Sequence, residues 1–189
     1  MEYPGRTVTL RDGRACLLRS PDPEDSAAML RYLRRSAGET PFLIRCPDEA
    51  EIPLREERAF LRRTLEDPRK LMIAAFVEGR LAANGGLAPV SAYRKARHRA
   101  ELGIAVLRKY WGLGLGTILM GALCAAAPGL GYCQIELEVA SANRRAVALY
   151  ERFGFRRCGE RPCAFRYEDG STGGELLMIK QLEEGEAVL

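Results

Sequence analysis

What this sequence has little of narrows its class first. It carries one histidine, His98, and its six cysteines (Cys16, Cys46, Cys124, Cys133, Cys158 and Cys163) never form a CxxC pair. Zinc centres need Cys and His ligands clustered at short spacings, so no metal site is expected. The longest apolar runs, such as Leu71 to Val77, fall far short of a bilayer span, so no membrane segment is expected either. The opening stretch MEYPGRTVTLRDGR has no apolar h-region, so no signal peptide is read there. The expected location is cytoplasmic, with the cysteines as reduced thiols behaving mostly as small buried hydrophobes. A strong charge of one sign is missing too. A net charge of +4 over 189 residues suits an anionic ligand but is too small to argue for nucleic acid. The one basic cluster, Arg94, Lys95, Arg97, His98 and Arg99, reads as a solvated hairpin loop, with a phosphate or acidic-substrate contact as the alternative.

What is present is a globular composition, 47% apolar and 29% charged, expected to form a single domain with a core over about 7–182 and a short tail, EEGEAVL. Asp12-Gly13 reads as a hairpin turn between two short strands. Asp22 and Pro23 open a helix whose apolar positions are Ala27, Leu30, Leu33 and Ala37, stopped by Gly38. A loop or broken helix over 39–53 leads to a second amphipathic helix, Leu54 to Asp67. Strands follow at Leu71 to Val77, Leu81 to Val90 and Ala100 to Val106. A helix from Thr117 to Ala127 then precedes a strand at Gln134 to Val139, giving a strand–helix–strand unit expected to be parallel. Ala142 to Phe153 is a further helix with Gly154 as its C-cap, and two last strands meet across DGSTGG. The fold class is therefore α/β, an α+β mixed sheet with antiparallel arms around one parallel crossover.

The stretch Tyr110 to Thr117, YWGLGLGT, spends three glycines directly after a strand and before a helix. Glycine is used where φ must be positive or where another group must reach the backbone. Two ligands compete. A dinucleotide site has a similar strand, glycine turn, helix and acidic residue, with Glu136 in the ribose position. However, five residues, LRKYW, separate Val106 from Gly112, and Thr117 or Leu119 stands where a third glycine is needed. The alternative is a pyrophosphate held by backbone N–H groups from Trp111 through Leu113, Leu115 and Thr117 at a helix N-terminus. On that reading a side chain at Gly112, Gly114 or Gly116 would hold the phosphates away.

VLRKYWGLGLG resembles the acetyl-CoA loop of the GNAT superfamily of N-acetyltransferases, V-x-x-x-x-[QR]-x-x-G-x-[GA], with Val106, Gly114 and Gly116 matching and Trp111 in place of Gln or Arg. IELEVASANRRAVALYERFGF is similar to that superfamily's L-x-V-x-x-x-N-x-x-A-x-x-L-Y-x-x-x-G-F through Leu137, Val139, Asn143, Ala146, Leu149, Tyr150, Gly154 and Phe155. The resemblance implies a mixed sheet of about seven strands flanked by about four helices, and an acetyl-CoA-dependent N-acetyltransferase. Acetyl-CoA would be the co-substrate and a small-molecule or peptide amine the acceptor. Backbone groups of Ile104, Ala105 and Val106 would hold the pantetheine arm and polarise the acetyl carbonyl. Tyr150 would protonate the departing thiolate, and Asn143 would anchor the pantetheine or the tyrosine. The plainer readings are a core aromatic for Tyr150 and a helix N-cap for Asn143. Glu101 and Glu136 are the candidate general bases, beside Glu138 and ordered water; each glutamate could equally sit on a solvated sheet face. Trp111 is expected to act through its backbone N–H rather than its ring. A catalytically silent CoA-binding domain is the alternative function. No feature encodes an oligomeric state, although homodimers are common in the superfamily.

Overall fold

The computed structural model describes residues 1–182, so the expected tail at 183–189 lies outside the described residues. Eight strands form one sheet in the order β1-β2-β3-β4-β5-β6-β8-β7. They are β1 (Arg6–Thr9), β2 (Ala15–Arg19), β3 (Leu71–Val77), β4 (Arg80–Pro89), β5 (Arg99–Val106), β6 (Gln134–Ala140), β7 (Arg156–Arg166) and β8 (Thr172–Gln181). The helices are α1 (Ser26–Glu39), α2 (Leu54–Glu66), α3 (Leu115–Ala126) and α4 (Arg144–Arg152). All pairings are antiparallel except β5 with β6, where α3 makes the crossover. The mixed sheet and its parallel unit agree with the sequence pattern. The N-terminal hairpin supplies two full strands, which brings the total to eight.

Side-chain pattern explains the layering. LMIAAFV in β3 is apolar throughout because α2 and α3 both pack on the strand. Asp22 accepts from the Glu24 N–H at 2.8 Å, while the Asp25 carboxylate takes the Asp22 N–H at 2.9 Å. This capping box starts the turn that runs into α1. The buried stripe of α1 is Ser26, Met29, Tyr32, Ser36 and Ala37, not the expected leucines. Leu30 and Leu33 are only half-buried, because the helix turns its tyrosine toward the sheet. In α2 the buried residues are Glu57, Leu61 and Thr64, and Leu54 faces solvent. The cysteines depart further from expectation. Cys16 alone is buried, Cys124 is intermediate, and Cys46, Cys133, Cys158 and Cys163 are exposed; none of the six is in a disulfide. The basic loop over 91–98 joins β4 to β5 and is mostly exposed.

The short pairing of β5 with β6 shapes the middle of the sheet. β5 and β6 pair at only three positions, Arg99 with Gln134, Ala100 with Ile135 and Glu101 with Glu136. Beyond them the strands diverge, leaving Leu102 to Val106 and Leu137 to Ala140 unpaired with each other. The wedge between them opens into a cavity.

Gly85, opposite Ile104, shows how tightly α3 lies on the sheet. A Cβ there would meet Ile104 Cγ2 at 2.8 Å and Leu123 Cδ1 at 3.0 Å. Gly85→Ala is expected to destabilise the protein by about 1–3 kcal/mol, the usual cost of overpacking, as measured by chemical denaturation. An unchanged midpoint would show that the sheet and α3 separate freely.

Candidate active site

The cavity has a volume of about 720 Å³. β5 and β6 wall it on two sides, the loop over 110–117 and α4 close one end, and the segment after α1 closes the other. Its chemistry is divided. Arg11, Arg145 and Arg152 line the end formed by the glycine loop, whereas Glu101, Glu138 and Glu175 line the strands.

The glycine loop begins with a single 3-10 turn over Arg108–Tyr110. Gly112 at φ +83° and Gly114 at φ +93° then reverse the chain into α3. These two glycines are present because L side chains rarely adopt such angles. Gly116 serves a different purpose: a Cβ on it would meet Leu149 Cδ2 at 3.1 Å, so it lets α3 approach α4. The three glycines thus answer to backbone angle and helix packing, a reason the sequence alone did not separate from ligand approach. The result still suits an anion. Ile118 is the first residue of α3 to donate backward, to the Gly114 carbonyl at 3.0 Å. The N–H groups of Gly112, Leu113, Gly114, Leu115, Gly116 and Thr117 have no protein acceptor among the described residues. Six free donors at the positive end of a helix are the arrangement that an anion-binding nest requires.

Trp111 differs from expectation. Its backbone N–H is spent on the Arg108 carbonyl at 3.1 Å. The indole is bonded as well: Nε1 donates to the Val106 carbonyl at 2.7 Å, and the guanidiniums of Arg108 and Arg145 approach the ring to 5.8 and 5.0 Å from its centroid. The ring therefore ties the loop to the end of β5.

The backbone of β5 alternates in its own direction. The Leu107 N–H bonds to Ala82 O in β4 at 2.9 Å, so Ala105 and Gly103 also direct their backbone groups to β4. Ile104 and Val106 therefore turn their N–H groups into the wedge, where no strand meets them. Among the three residues expected to hold the pantetheine arm, Ala105 is turned away.

Tyr150 and Asn143 both line the cavity from α4. Asn143 is the N-cap, its Oδ1 accepting from the Ala146 N–H at 3.2 Å, which leaves its amide NH₂ available. Tyr150 is buried, with 6% of its surface exposed. Burial pushes its hydroxyl up to about 12, and that hydroxyl has no hydrogen-bond partner among the described residues. The position is held from behind. Gly154 at φ +83° reverses the chain, the Phe155 N–H returns to the Tyr150 carbonyl at 3.1 Å, and the Phe155 ring packs 6.0 Å from the Tyr150 ring.

The carboxylates fare differently. Glu136 does not line the cavity. The Arg99 guanidinium grips it with two hydrogen bonds, Gln134 Nε2 donates to it at 2.7 Å, and together they hold its carboxyl below the usual range. Glu136 is thereby removed from the candidates for base. Glu138 and Glu175 share Arg161. Glu101 lines the cavity, is exposed, and has no ion pair or hydrogen bond to its side chain among the described residues. Sequence reasoning missed the remaining wall: Phe42, Leu43 and Ile44 after α1, and Glu39 at its end, which takes the Arg108 N–H. For Glu39, burial works to raise the carboxyl, but the Arg108 N–H and Arg35 outweigh it and hold it low. Only the apolar FLI run could have hinted at this wall.

A model of the Acetyltransferase (GNAT) family matches residues 30–155. The chain belongs to this family. The match runs from within α1 to Phe155 and so contains the wedge, the glycine loop and Tyr150. A GNAT acetyltransferase from Streptococcus pneumoniae shares 26% identity and a TM-score of 0.84, over 89% of this chain and 99% of that one. A ribosomal-protein-alanine N-acetyltransferase from Brucella melitensis superposes with a TM-score of 0.77 at 22% identity, covering 87% and 99% of the two chains. A phosphinothricin acetyltransferase from Sinorhizobium meliloti, solved with acetyl-CoA, does so with 0.78 at 19% identity, covering 92% of each. At those identities the last two are similar in fold alone. No curated protein matches the chain significantly. Among the described residues no group of three or more His, Cys, Asp or Glu could hold a metal ion, and no helix is long and apolar enough to cross a membrane.

Trp111→Phe keeps the ring but loses the bond from Nε1 to Val106. One such hydrogen bond is worth about 0.5–1.5 kcal/mol net, so acetyl-CoA affinity should fall roughly two- to tenfold in calorimetric titration. Unchanged affinity would show that the loop holds its shape without the indole N–H.

Proposed function

We propose that this protein is an acetyl-CoA-dependent N-acetyltransferase that passes an acetyl group to a primary amine by direct attack in a ternary complex. The observation that carries this reading is the convergence of three unsatisfied groups on one cavity: the N–H nest of 112–117, the free N–H edge of β5, and the unpartnered hydroxyl of Tyr150. Each fits a different part of one molecule. The nest and the arginines Arg11, Arg145 and Arg152 suit a pyrophosphate. The wedge suits an extended amide arm added like a strand to β5. Ile104 and Val106 N–H groups beside that arm suit a thioester carbonyl. The free amide of Asn143 suits the same arm.

Acetyl-CoA, bound there, supplies an activated acetyl thioester. The residues of the chain do the rest. Val106 N–H donates to the carbonyl oxygen as negative charge builds on it. As the C–S bond breaks, Tyr150 gives its proton to the departing sulfur and regains one, through water, from the nitrogen newly bonded to the acetyl carbon; until then the raised hydroxyl holds its proton at neutral pH. Glu101 takes a proton from the incoming ammonium, directly or through water. It is the one free carboxylate among the acidic residues on the strand walls. The acceptor, a small-molecule or peptide amine, reaches it over the face that Glu101 shares with Glu138, beside Phe42, Leu43 and Ile44. That acidic face attracts a cation, as an amine is before it reacts.

The test begins with binding. At 100 times its Kd, acetyl-CoA should stabilise the fold by about 2.7 kcal/mol, and NADH should not. A shift with NADH alone sinks the proposal. Thiol release against an amine panel then separates an enzyme from a CoA-binding module, which would bind acetyl-CoA and release nothing. Tyr150→Phe should lower kcat by roughly 10²-fold or more while leaving acetyl-CoA affinity intact; full turnover would remove Tyr150 as the acid. Because its hydroxyl titrates near 12, Tyr150 stays protonated through the alkaline assay range and loses its proton only as pH rises through that value. The pH–kcat profile should therefore show no falling limb from this group at pH 7 to 10.

A further inference from the structure

We propose that Tyr32 is a positioning residue whose hydroxyl, set into the β4–β5 ladder from α1, aims the Val106 N–H into the cavity. The inference rests on the reading above, in which that N–H polarises the acetyl carbonyl. Tyr32 is buried, with 3% of its surface exposed. Its hydroxyl accepts the Asn84 N–H at 3.1 Å and donates to the Ala105 carbonyl at 2.7 Å. Asn84 and Ala105 are register partners, so a side chain from a helix joins a rung of the sheet. A hydroxyl can do this because it donates and accepts at once.

The rung matters because of peptide geometry. The Ala105 carbonyl and the Val106 N–H belong to one planar trans peptide and point in opposite directions. Fixing the carbonyl toward Tyr32 fixes the N–H toward the wedge. The next peptide is held as well: Trp111 Nε1 takes the Val106 carbonyl at 2.7 Å, and the Leu107 N–H goes to Ala82 O at 2.9 Å. α1 grips the segment a second time where Glu39 accepts the Arg108 N–H at 2.5 Å. From the Ala105 carbonyl to the Arg108 N–H, Val106 N–H is thus the one backbone group without a partner among the described residues. A carbonyl that accepts a hydrogen bond also strengthens its own peptide N–H as a donor. Tyr32 therefore orients and polarises the donor without touching the substrate.

The test reads that donor directly. Acetyl-CoA labelled with ¹³C at the acetyl carbonyl is bound to the full chain, and its carbonyl band is followed by infrared difference spectroscopy. In the wild-type protein the band should move to lower frequency. In Tyr32→Phe that displacement should fall by about half or more, and kcat about tenfold, with acetyl-CoA Kd within about threefold of wild type. A purely structural tyrosine would change thermal stability and leave the band in place. A folded Tyr32→Phe protein that binds acetyl-CoA with the wild-type band overturns this inference and leaves the proposed function standing. A wild-type protein that fails to bind acetyl-CoA overturns both. If Tyr32→Phe does not fold, 3-fluorotyrosine at position 32 keeps the hydroxyl and makes it a stronger donor. The band should then move further, and an unchanged band overturns the inference.

Discussion

The divergence of β5 and β6 is the constraint on which the rest of the site depends. Backbone N–H and C=O groups of a central strand are ordinarily satisfied on both sides. Here pairing stops at Glu101 and Glu136, and the inner edge of β5 continues to Val106 without a partner strand. An edge of this kind, inside a sheet rather than at its rim, is costly unless water or a ligand completes it. The crossover helix α3 makes the arrangement possible, because its N-terminus emerges where β5 ends and presents its own free donors to the same space. Strand edge and helix end are two kinds of unsatisfied backbone, and they meet at one cavity.

Around that wedge the side chains mostly hold backbone in place. Trp111 ties the loop to Val106, Tyr32 enters the rung at Ala105, and Glu39 secures Arg108. Gly116 lets α3 lie close to Leu149, and Arg152 reaches Thr117 Oγ1 at 3.0 Å, so α4 is fastened to the same helix end. Preorganisation of this sort leaves little rearrangement for the moment of reaction. Charge follows the same division. Cationic side chains gather at the glycine loop, while the carboxylates of β5, β6 and β8 are neutralised by Arg99 and Arg161 except at Glu101.

Much of this was legible in the sequence. The apolar alternation of β5, the glycine loop and the spacing from Asn143 to Tyr150 placed strand, nest and phenol in order, because periodicity and backbone conformation are local properties. The features that were not legible are those in which distant segments meet. Nothing local distinguishes Glu136 from Glu101; the difference is Arg99, which reaches one and not the other. Tyr32 stood beside leucines that looked equally suited to the core, and only the rotation of α1 on the sheet turned the hydroxyl toward Ala105. The Trp111 backbone N–H seemed free until the 3-10 turn claimed it.

By itself, then, the sequence determined the mixed α/β class, the parallel crossover, the glycine loop and the residues of α4 that line the cavity. Short-range backbone preference and side-chain period set each of these. Tertiary structure decided where β5 and β6 part, which carboxylate stays unpaired, and which peptide N–H faces the wedge. Those outcomes depend on register and on hydrogen bonds between residues far apart in the chain, such as Tyr32 to Ala105 and Arg99 to Glu136, which no local pattern records.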